Sequence, residues 1–226
     1  MIEFSRPDGK KCPGYFAPGT SGDNAPGVVM IEEWWGVTPW IKSQADALAD
    51  TGFRVLIPDL FSGRTAMVAD EANHLVSDLD FGDAANQDAR GAADYLASTG
   101  SPKVGVMGYC IGGALALISA MHGPNFSACV TFYGLPPAEA GDPGQITMPL
   151  QGHWAKKDAF FGLDKVGLLE GKLKAANVPY EFYEYDADHG FCNTGEVGNA
   201  GLGHYDETSA KLAWNRTIEF FKKTLA

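Results

Sequence analysis

The sequence predicts an α/β fold with a mostly parallel central sheet, helices on both faces and an N-terminal β-hairpin. The first observation is the alternation of strand-like and helix-like segments, which is typical of a parallel sheet covered by helices. The second is a set of continuous apolar runs, such as Gly27–Ile31, that suit strands buried on both faces. The third is size, because 226 residues that are 45% hydrophobic can form a single domain of this class over residues 1–226.

The predicted strands are short and end at turn residues. The hairpin comprises residues 2–4 and 11–16, which a Pro7-Asp8-Gly9 turn separates. The other strands are expected to be mostly parallel. They are predicted over residues 27–31, 54–57, 104–107, 128–133, 148–152 and 180–185.

The predicted helices carry apolar residues at helical spacing. Ile41, Ala45 and Leu48, for example, fall on one face of a helix that ends before Gly52. Helices are predicted over residues 39–50, 88–96, 111–121, 163–176 and 206–225. Residues 59–83 form an acidic excursion that the pattern assigns to no element. Residues 195–203 contain four glycines and predict a mobile lip of a pocket.

Charge and cysteine content exclude several classes of function. The net charge is −11 and no segment is rich in Lys or Arg, so neither nucleic acid nor an anionic membrane is an expected partner. The N-terminus lacks the apolar core of a signal peptide, and the cytoplasm is therefore the expected location. The four cysteines form no C-x-x-C pair and no H-x-x-x-H spacing occurs, so no metal or other cofactor is expected. We expect a monomer or small homo-oligomer that acts on a small molecule.

The segment Gly108-Tyr109-Cys110-Ile111-Gly112 is the most informative about chemistry. It follows the predicted strand 104–107 and precedes a helical run. This arrangement is the G-x-nucleophile-x-G turn of α/β-hydrolases, with cysteine in place of the usual serine. The tight turn requires glycine on both sides, and it places the nucleophile at the N-terminus of a helix, where a thiolate is stabilised. The sequence therefore predicts an α/β-hydrolase fold with Cys110 as its nucleophile.

The same fold predicts where an acid and a histidine should follow, because the order along the chain is nucleophile, acid, histidine. Asp158 lies in the loop after the strand 148–152, and His189 follows the last strand with a Gly-Phe pair behind it. The histidine would take the thiol proton, and the acid would orient the imidazole. Asp186 and Asp188 are rival acids, but as close neighbours of the histidine they are expected to point the wrong way.

An unusual loop, Glu32-Glu33-Trp34-Trp35-Gly36, follows the strand 27–31. In one interpretation its acids are solvated and a tryptophan covers the core. In the other, one carboxylate lies at the thiol and one backbone amide belongs to an oxyanion hole. Because α/β-hydrolases take one oxyanion donor from this loop and one from the residue after the nucleophile, the expected donors are the amides of Trp34 and Ile111.

Together these motifs resemble the dienelactone hydrolase family, the carboxymethylenebutenolidases. The residues that carry the resemblance span most of the chain, and they are Glu33-Trp34-Trp35-Gly36, Pro58-Asp59-Leu60-Phe61, Gly108-Tyr109-Cys110-Ile111-Gly112-Gly113, Phe132-Tyr133-Gly134, Asp158 and His189-Gly190-Phe191. The resemblance implies a triad of Cys110, His189 and Asp158. It also implies that Glu33 contacts the resting thiol and helps to deprotonate it when substrate binds, and that Tyr133 lines the site.

The chain departs from the family pattern at the substrate carboxylate. Members that cleave dienelactone hold this group with two arginines, one of them four residues after the histidine, where this chain has Asn193. The other precedes the second helix, where residues 66–81 contain no Lys or Arg. Asparagine and acids do not replace a bidentate arginine. We therefore expect a neutral or less acidic substrate, contacted by Trp35, Tyr133, Phe191 and Asn193.

The leading hypothesis is a hydrolase that cleaves lactones or activated carboxylic esters through a thioester on Cys110. A broad-specificity carboxyl or aryl esterase acting on neutral esters is one alternative. A redox-responsive protein on the same scaffold is another, with Cys192 as the resolving thiol. The ordered set of Cys110, Asp158 and His189 favours the hydrolase, because a redox protein needs neither the acid nor the histidine.

Overall fold

An eight-stranded sheet forms the centre of the molecule. The computed structural model describes residues 1–123, 125–195 and 204–226, so almost all of the predicted glycine-rich lip lies outside the described residues. The strands are β1 Ile2–Ser5, β2 Lys11–Ala17, β3 Gly27–Ile31, β4 Arg54–Pro58, β5 Val104–Tyr109, β6 Ala128–Phe132, β7 Leu150–Ala155 and β8 Tyr180–Tyr185. Their order across the sheet is β1-β2-β4-β3-β5-β6-β7-β8.

The predicted hairpin and the mostly parallel sheet are both confirmed. Strand β2 pairs antiparallel with β1 and with β4, and the pairs from β4 through β8 are parallel. The carboxyl ends of the parallel strands therefore lie at one edge of the sheet, where α/β folds place their sites. The residues of interest that follow these strands are Glu33, Cys110, Tyr133, Asp158 and His189.

Helices cover both faces of the sheet. They are α1 Pro39–Ala49, α2 Ala69–Ser77, α3 Phe81–Asp83, α4 Arg90–Ser98, α5 Ile111–His122, α6 Leu163–Ala175 and α7 Glu207–Leu225. Alternate residues of β3 enter different apolar clusters, since Val29 packs in the cluster of α4 and Val28 in that of α1. A π-helical segment, Ala84–Ala89, joins α3 to α4, so this helical region begins before the predicted residue 88. Across the described ranges, no helix is long and apolar enough to cross a bilayer.

The strand predicted over residues 148–152 is shifted towards its carboxyl end, because β7 spans Leu150–Ala155. His153 therefore lies inside the strand and not in the following loop, which contains Asp158. Its Nδ1 is 2.8 Å from the Tyr185 hydroxyl, and its Nε2 is 3.0 Å from Thr217 Oγ1. Burial lowers the pKa of His153 to about 3, so this histidine is a neutral core residue.

The acidic excursion at residues 59–83 contains helix α2 and a small apolar cluster. Ala72 and Leu75 of α2 are buried together with Phe61 and Trp35. Ile111, at the start of α5, packs against the same cluster. The excursion therefore supports the loop after β3 and the first turn of α5, which hold the two expected oxyanion donors.

Glu32 and Asp59 are buried acids that directly follow the parallel strands β3 and β4. Glu32 Oε1 accepts a hydrogen bond from the amide of Leu60 at 3.1 Å. Within the described residues, Glu32 Oε2 and Asp59 Oδ1 have no hydrogen-bond partner. Burial raises the pKa of Glu32 well above its ordinary value, and the charge of Asp59 raises it further. The folded chain therefore keeps a proton on Glu32 at a higher pH than the unfolded chain does.

We expect Glu32→Gln to be more stable than wild type at pH 8 and to unfold at a higher urea concentration, because the raised pKa of Glu32 costs the folded wild type stability once the unfolded chain can ionise, and glutamine has no such cost. The raised pKa also sets the sign of the pH dependence. The gain should vanish near pH 4, where the unfolded chain is protonated as well. Urea unfolding at both pH values measures this difference, with the exposed Glu3→Gln as control. Equal stability of Glu32→Gln and wild type at pH 8 would contradict the expectation.

Candidate active site

The turn between β5 and α5 holds Cys110 in a conformation that side chains rarely adopt, with φ of 55°. A Cβ atom at Gly108 would collide with the backbone of Gly112. A Cβ atom at Gly112 would collide with the backbone of Ile31 and Glu32. Both glycines of the motif are therefore required by close backbone contacts, as the sequence predicts.

The end of β6 supports this turn. The amide of Cys110 donates a hydrogen bond to the carbonyl of Phe132 at 3.0 Å. Tyr133 then leaves the strand with φ of 40°, and a Cβ atom at Gly134 would collide with the carbonyl oxygen of Cys110. The segment Phe132-Tyr133-Gly134 is thus packed directly against the predicted nucleophile.

Cys110, His189 and Asp158 form a continuous chain of polar contacts. His189 Nε2 lies 3.1 Å from Cys110 Sγ, and His189 Nδ1 lies 2.8 Å from Asp158 Oδ2. The other oxygen of Asp158 accepts hydrogen bonds from the amides of Phe160 at 2.8 Å and Phe161 at 2.9 Å. The carboxylate is therefore fixed by backbone donors on one side and directed at the imidazole on the other.

The structure distinguishes Asp158 from its rivals. The side chain of Asp158 is 1% exposed, whereas that of Asp186 is 77% exposed and pairs with Lys157 at 3.1 Å. Within the described part of the chain, Asp158 is the acid that bonds to His189. The expectation that acids adjacent to the histidine point away from it agrees with this arrangement for Asp186.

The imidazole of His189 is held in its charged form. Burial disfavours the imidazolium, but hydrogen bonds to Asp158 and Cys110 outweigh burial and raise the pKa of His189 to about 10. An imidazolium beside the sulfur and the N-terminus of α5 behind it both stabilise a thiolate. The imidazolium of His189 therefore lies 3.1 Å from the sulfur of Cys110 at neutral pH.

Glu33 lies beside this pair but differs from the expectation that it contacts the thiol. Its Oε1 accepts a hydrogen bond from the Tyr133 hydroxyl at 3.4 Å, and its Oε2 accepts one from Asn193 Nδ2 at 2.5 Å. Within the described residues, no hydrogen bond joins Glu33 to Cys110, whose sulfur lies on His189 instead. Both carboxylate oxygens of Glu33 thus accept hydrogen bonds, one from the side-chain amide of Asn193 and one from the hydroxyl of Tyr133.

Burial raises the pKa of Glu33 to about 7, since the side chain is almost wholly removed from water. The hydrogen bond from Asn193 lowers the pKa of Glu33, and the charge of His189 lowers it by a smaller amount. The Tyr133 hydroxyl also favours the anion. Glu33 therefore changes charge close to neutral pH.

The two expected oxyanion donors lie at the nucleophile turn and in the loop after β3. Ile111 is the first residue of α5, where a helix leaves its amides unpaired. Within the described residues, neither the Ile111 amide nor the Trp34 amide donates a hydrogen bond. Both amides are therefore available to an oxygen of a bound substrate.

Three of the four residues expected to contact substrate lie behind the site. Trp35 is 3% exposed, and Tyr133 and Phe191 have no exposed surface. The Tyr133 ring packs edge-on against His189 at 5.0 Å and against Phe191 at 5.2 Å. The Tyr133 ring therefore supports the imidazole from behind, and the contact of these three residues with a substrate stays a prediction.

Two aromatic residues that the sequence analysis did not single out flank the imidazole. The rings of Phe160 and Phe161 lie 5.0 Å and 5.9 Å from that of His189, and Phe160 is 46% exposed. Their signal in the sequence is a pair of aromatic residues immediately after the acid Asp158. They give the site an apolar wall.

Among the described residues, no Lys or Arg side chain contacts the site in a way that would let it bind a substrate carboxylate. Arg64 is the cation nearest in sequence to residues 66–81, the segment in which the family carries an arginine. Its side chain is 59% exposed and lies 4.0 Å from Asp78. Within the described residues, no Lys or Arg forms a hydrogen bond or ion pair with Cys110, His189 or Glu33. The described contacts of the site therefore include no bidentate cation of the kind that holds a carboxylate.

Comparisons with known proteins identify the family and the fold of this chain. A family model described as the dienelactone hydrolase family matches residues 13–225. A protein named usf from Aquifex pyrophilus is 34% identical over 235 residues, which cover 100% of this chain and 98% of the relative. A carboxymethylenebutenolidase from Rhodococcus opacus is 30% identical over 91% of this chain and 82% of that protein. A solved structure from Klebsiella pneumoniae subsp. pneumoniae, provisionally named a dienelactone hydrolase, has a TM-score of 0.80 at 26% identity and covers 98% of both chains.

Proposed function

The chain belongs to the dienelactone hydrolase family and is a carboxylic ester hydrolase, and from this premise we propose that it cleaves neutral lactones or activated esters through a cysteine nucleophile. The observation that carries the proposal is the chain of contacts from Cys110 Sγ through His189 to Asp158. A nucleophile, a base and an orienting acid in this order are what acyl transfer requires.

In the first step the Cys110 thiolate attacks the carbonyl carbon and forms a carbon–sulfur bond. The carbonyl electron pair moves to oxygen, and the amides of Trp34 and Ile111 hold the resulting oxyanion. The intermediate then collapses and expels the alkoxide, which takes the proton from His189 Nε2. The products of this step are an alcohol and a thioester on Cys110. For a lactone the alcohol stays attached to the acyl group as the ring opens.

In the second step His189, now neutral, takes a proton from a water molecule that attacks the thioester. The thiolate leaves, the carboxylic acid is released, and the imidazolium is restored. Asp158 holds the imidazole in one orientation during both proton transfers. Amides should be poor substrates, because the sulfur departs from the tetrahedral intermediate more readily than an amine does.

The charge of the site supports a neutral substrate. A carboxylate on the acyl group would enter beside Glu33, which is buried, changes charge near neutral pH and has only uncharged donors at its oxygens. The aromatic wall of Phe160 and Phe161 is matched by an apolar acyl or aryl group. This combination favours neutral aryl esters and lactones over the anionic dienelactone.

We expect at least a tenfold higher kcat/KM for 4-nitrophenyl butyrate than for 4-nitrophenyl hemisuccinate, because the two four-carbon acyl groups differ mainly in a carboxylate that finds no cation in the site. Dienelactone should likewise react more slowly than a neutral aryl acetate. Release of nitrophenolate measures the first pair, and the hemisuccinate comparison in high salt controls for repulsion by the acidic surface. A preference for the anionic ester or for dienelactone would overturn the proposed substrate charge while leaving the reaction class intact.

The redox alternative finds little support at Cys192. This thiol is 8% exposed, and burial raises its pKa well above the ordinary value. A buried thiol of raised pKa reacts slowly with oxidants and disulfides. Cys192 therefore lacks the character of a resolving cysteine, and we propose the hydrolase alone.

A further inference from the structure

Asn193 uses both ends of its side-chain amide. Its Oδ1 accepts a hydrogen bond from the amide of Gly195 at 2.7 Å, and its Nδ2 donates to Glu33 Oε2 at 2.5 Å. Its own backbone amide donates to the carbonyl of Gly190 at 2.8 Å. The residue is 5% exposed. Because a backbone donor faces the oxygen, the amide nitrogen must face Glu33, and the orientation of the side chain is fixed.

The titratable and charged groups that act on Glu33 come from several elements. Tyr133, after β6, donates to the carboxylate, and the charge of His189, after β8, lowers the pKa of Glu33. The charge of Glu33 also raises the pKa of Tyr109, at the end of β5, and of Cys192, in the loop after His189. Burial raises the pKa of both these residues well above their ordinary values, so they remain neutral at neutral pH. Cys110 completes the set through its contact with the imidazole.

We propose that Asn193 is a positioning residue that holds Glu33 as an anion beside His189, so that Glu33 supplies a second negative charge to the catalytic imidazolium. The inference rests on the proposed function, because the imidazolium is the form of His189 at the start of the first step and at the end of the second. Asp158 bonds to Nδ1 of His189, while Glu33 accepts a hydrogen bond from Tyr133, whose ring packs against the imidazole at 5.0 Å. The charge of Glu33 should therefore favour the reaction.

The proposed role of Asn193 predicts the direction in which the pH dependence of activity changes when the residue is replaced. Burial opposes the charge of Glu33, and the Asn193 hydrogen bond favours it. Removing the donor should therefore raise the pKa of Glu33 above its value of about 7. Activity that depends on the Glu33 anion should then appear only at a higher pH than in the wild type.

Asn193→Asp separates this role from the structure of the loop. An aspartate keeps an oxygen for the amide of Gly195 but replaces the donor to Glu33 with a second carboxylate. We expect the acid limb of kcat/KM for a neutral aryl ester to move upward by about one pH unit or more. Asn193→Leu, which removes both bonds, should move the limb in the same direction. A limb that stays in place in Asn193→Asp, or a loss of kcat/KM that is equal at every pH, would overturn the proposal.

Glu33→Gln provides a second variant in case Asn193→Asp does not fold. Without a titrating group at this position, the limb near pH 7 should disappear from the profile. Its persistence in Glu33→Gln would contradict the proposed role of Glu33, and with it that of Asn193.

The rate at which iodoacetamide alkylates Cys110, followed by mass spectrometry between pH 5 and 9, reports on Cys110 and His189 without any ester substrate. We expect the alkylation profile to carry the same limb and the same upward shift in Asn193→Asp. A shifted alkylation profile in an enzyme that cleaves no ester would support the inference and reject the proposed function. Ester cleavage that requires Cys110 but has an unshifted profile in Asn193→Asp would do the reverse.

Discussion

Cys110→Ala is expected to lower kcat/KM for a neutral aryl ester by at least about a thousandfold, because no other described group is placed to attack the carbonyl. The sulfur sits at the apex of a turn that Gly108 and Gly112 keep free of side chains, 3.1 Å from the imidazole. Removing one atom from this position leaves the turn, the oxyanion donors and His189 in place. The loss should therefore appear in activity and not in folding.

Steady-state rates and intact mass provide the two measurements. Wild type mixed with an ester that deacylates slowly should gain the mass of one acyl group, and this mass should be absent in Cys110→Ala. Cys129→Ala is the matched control, since this cysteine is buried in β6 and burial raises the pKa of its thiol. A loss of less than tenfold in Cys110→Ala, or an acyl group carried by another residue, would reject the cysteine mechanism.

The sequence predicts the residues of the site that follow strands far better than those that support them. Parallel strands end at one edge of the sheet, so a cysteine in a strand–turn–helix motif and an acid and a histidine after later strands must lie near one another. The structure places Cys110, Asp158 and His189 within hydrogen-bonding distance. Their roles in catalysis remain predictions that the variants test.

Contacts between distant loops could not be predicted in the same way. Glu33 and Asn193 are 160 residues apart, and nothing in the local pattern of either segment indicates that one amide orients the other carboxylate. Trp35 has the composition of a ligand contact, but packing against Phe61 and the acidic excursion covers it. Whether an aromatic residue lines a pocket or fills the space behind it depends on which elements pack above it, and that information lies elsewhere in the chain.

The placement of Asp158 predicts an unusually large effect for an isosteric change. In Asp158→Asn, the amides of Phe160 and Phe161 still require an oxygen, so the new amide nitrogen must face His189 Nδ1. Two donors cannot face each other, and Nδ1 must then give up its proton. The one proton left on the ring is then the one on Nε2, which points at Cys110 Sγ, so the neutral ring has no free nitrogen on that side to act as a base.

Two losses should therefore combine in Asp158→Asn. The imidazole takes the wrong tautomer, and the carboxylate that helps to raise the pKa of His189 to about 10 is gone. We expect kcat for a neutral ester to fall by a factor on the order of 10³–10⁴, with little change in thermal stability because the loop keeps its two backbone hydrogen bonds.

Asp186→Asn removes the same charge from an exposed acid that pairs with Lys157, and it should leave kcat within about twofold of wild type. Equal losses in the two variants would mean that the loop responds to net charge and not to the tautomer of His189. A reduction below tenfold in Asp158→Asn would mean that another group orients the imidazole. A large loss confined to Asp158→Asn would tie the reaction to the proton on Nδ1, which the geometry of this loop requires.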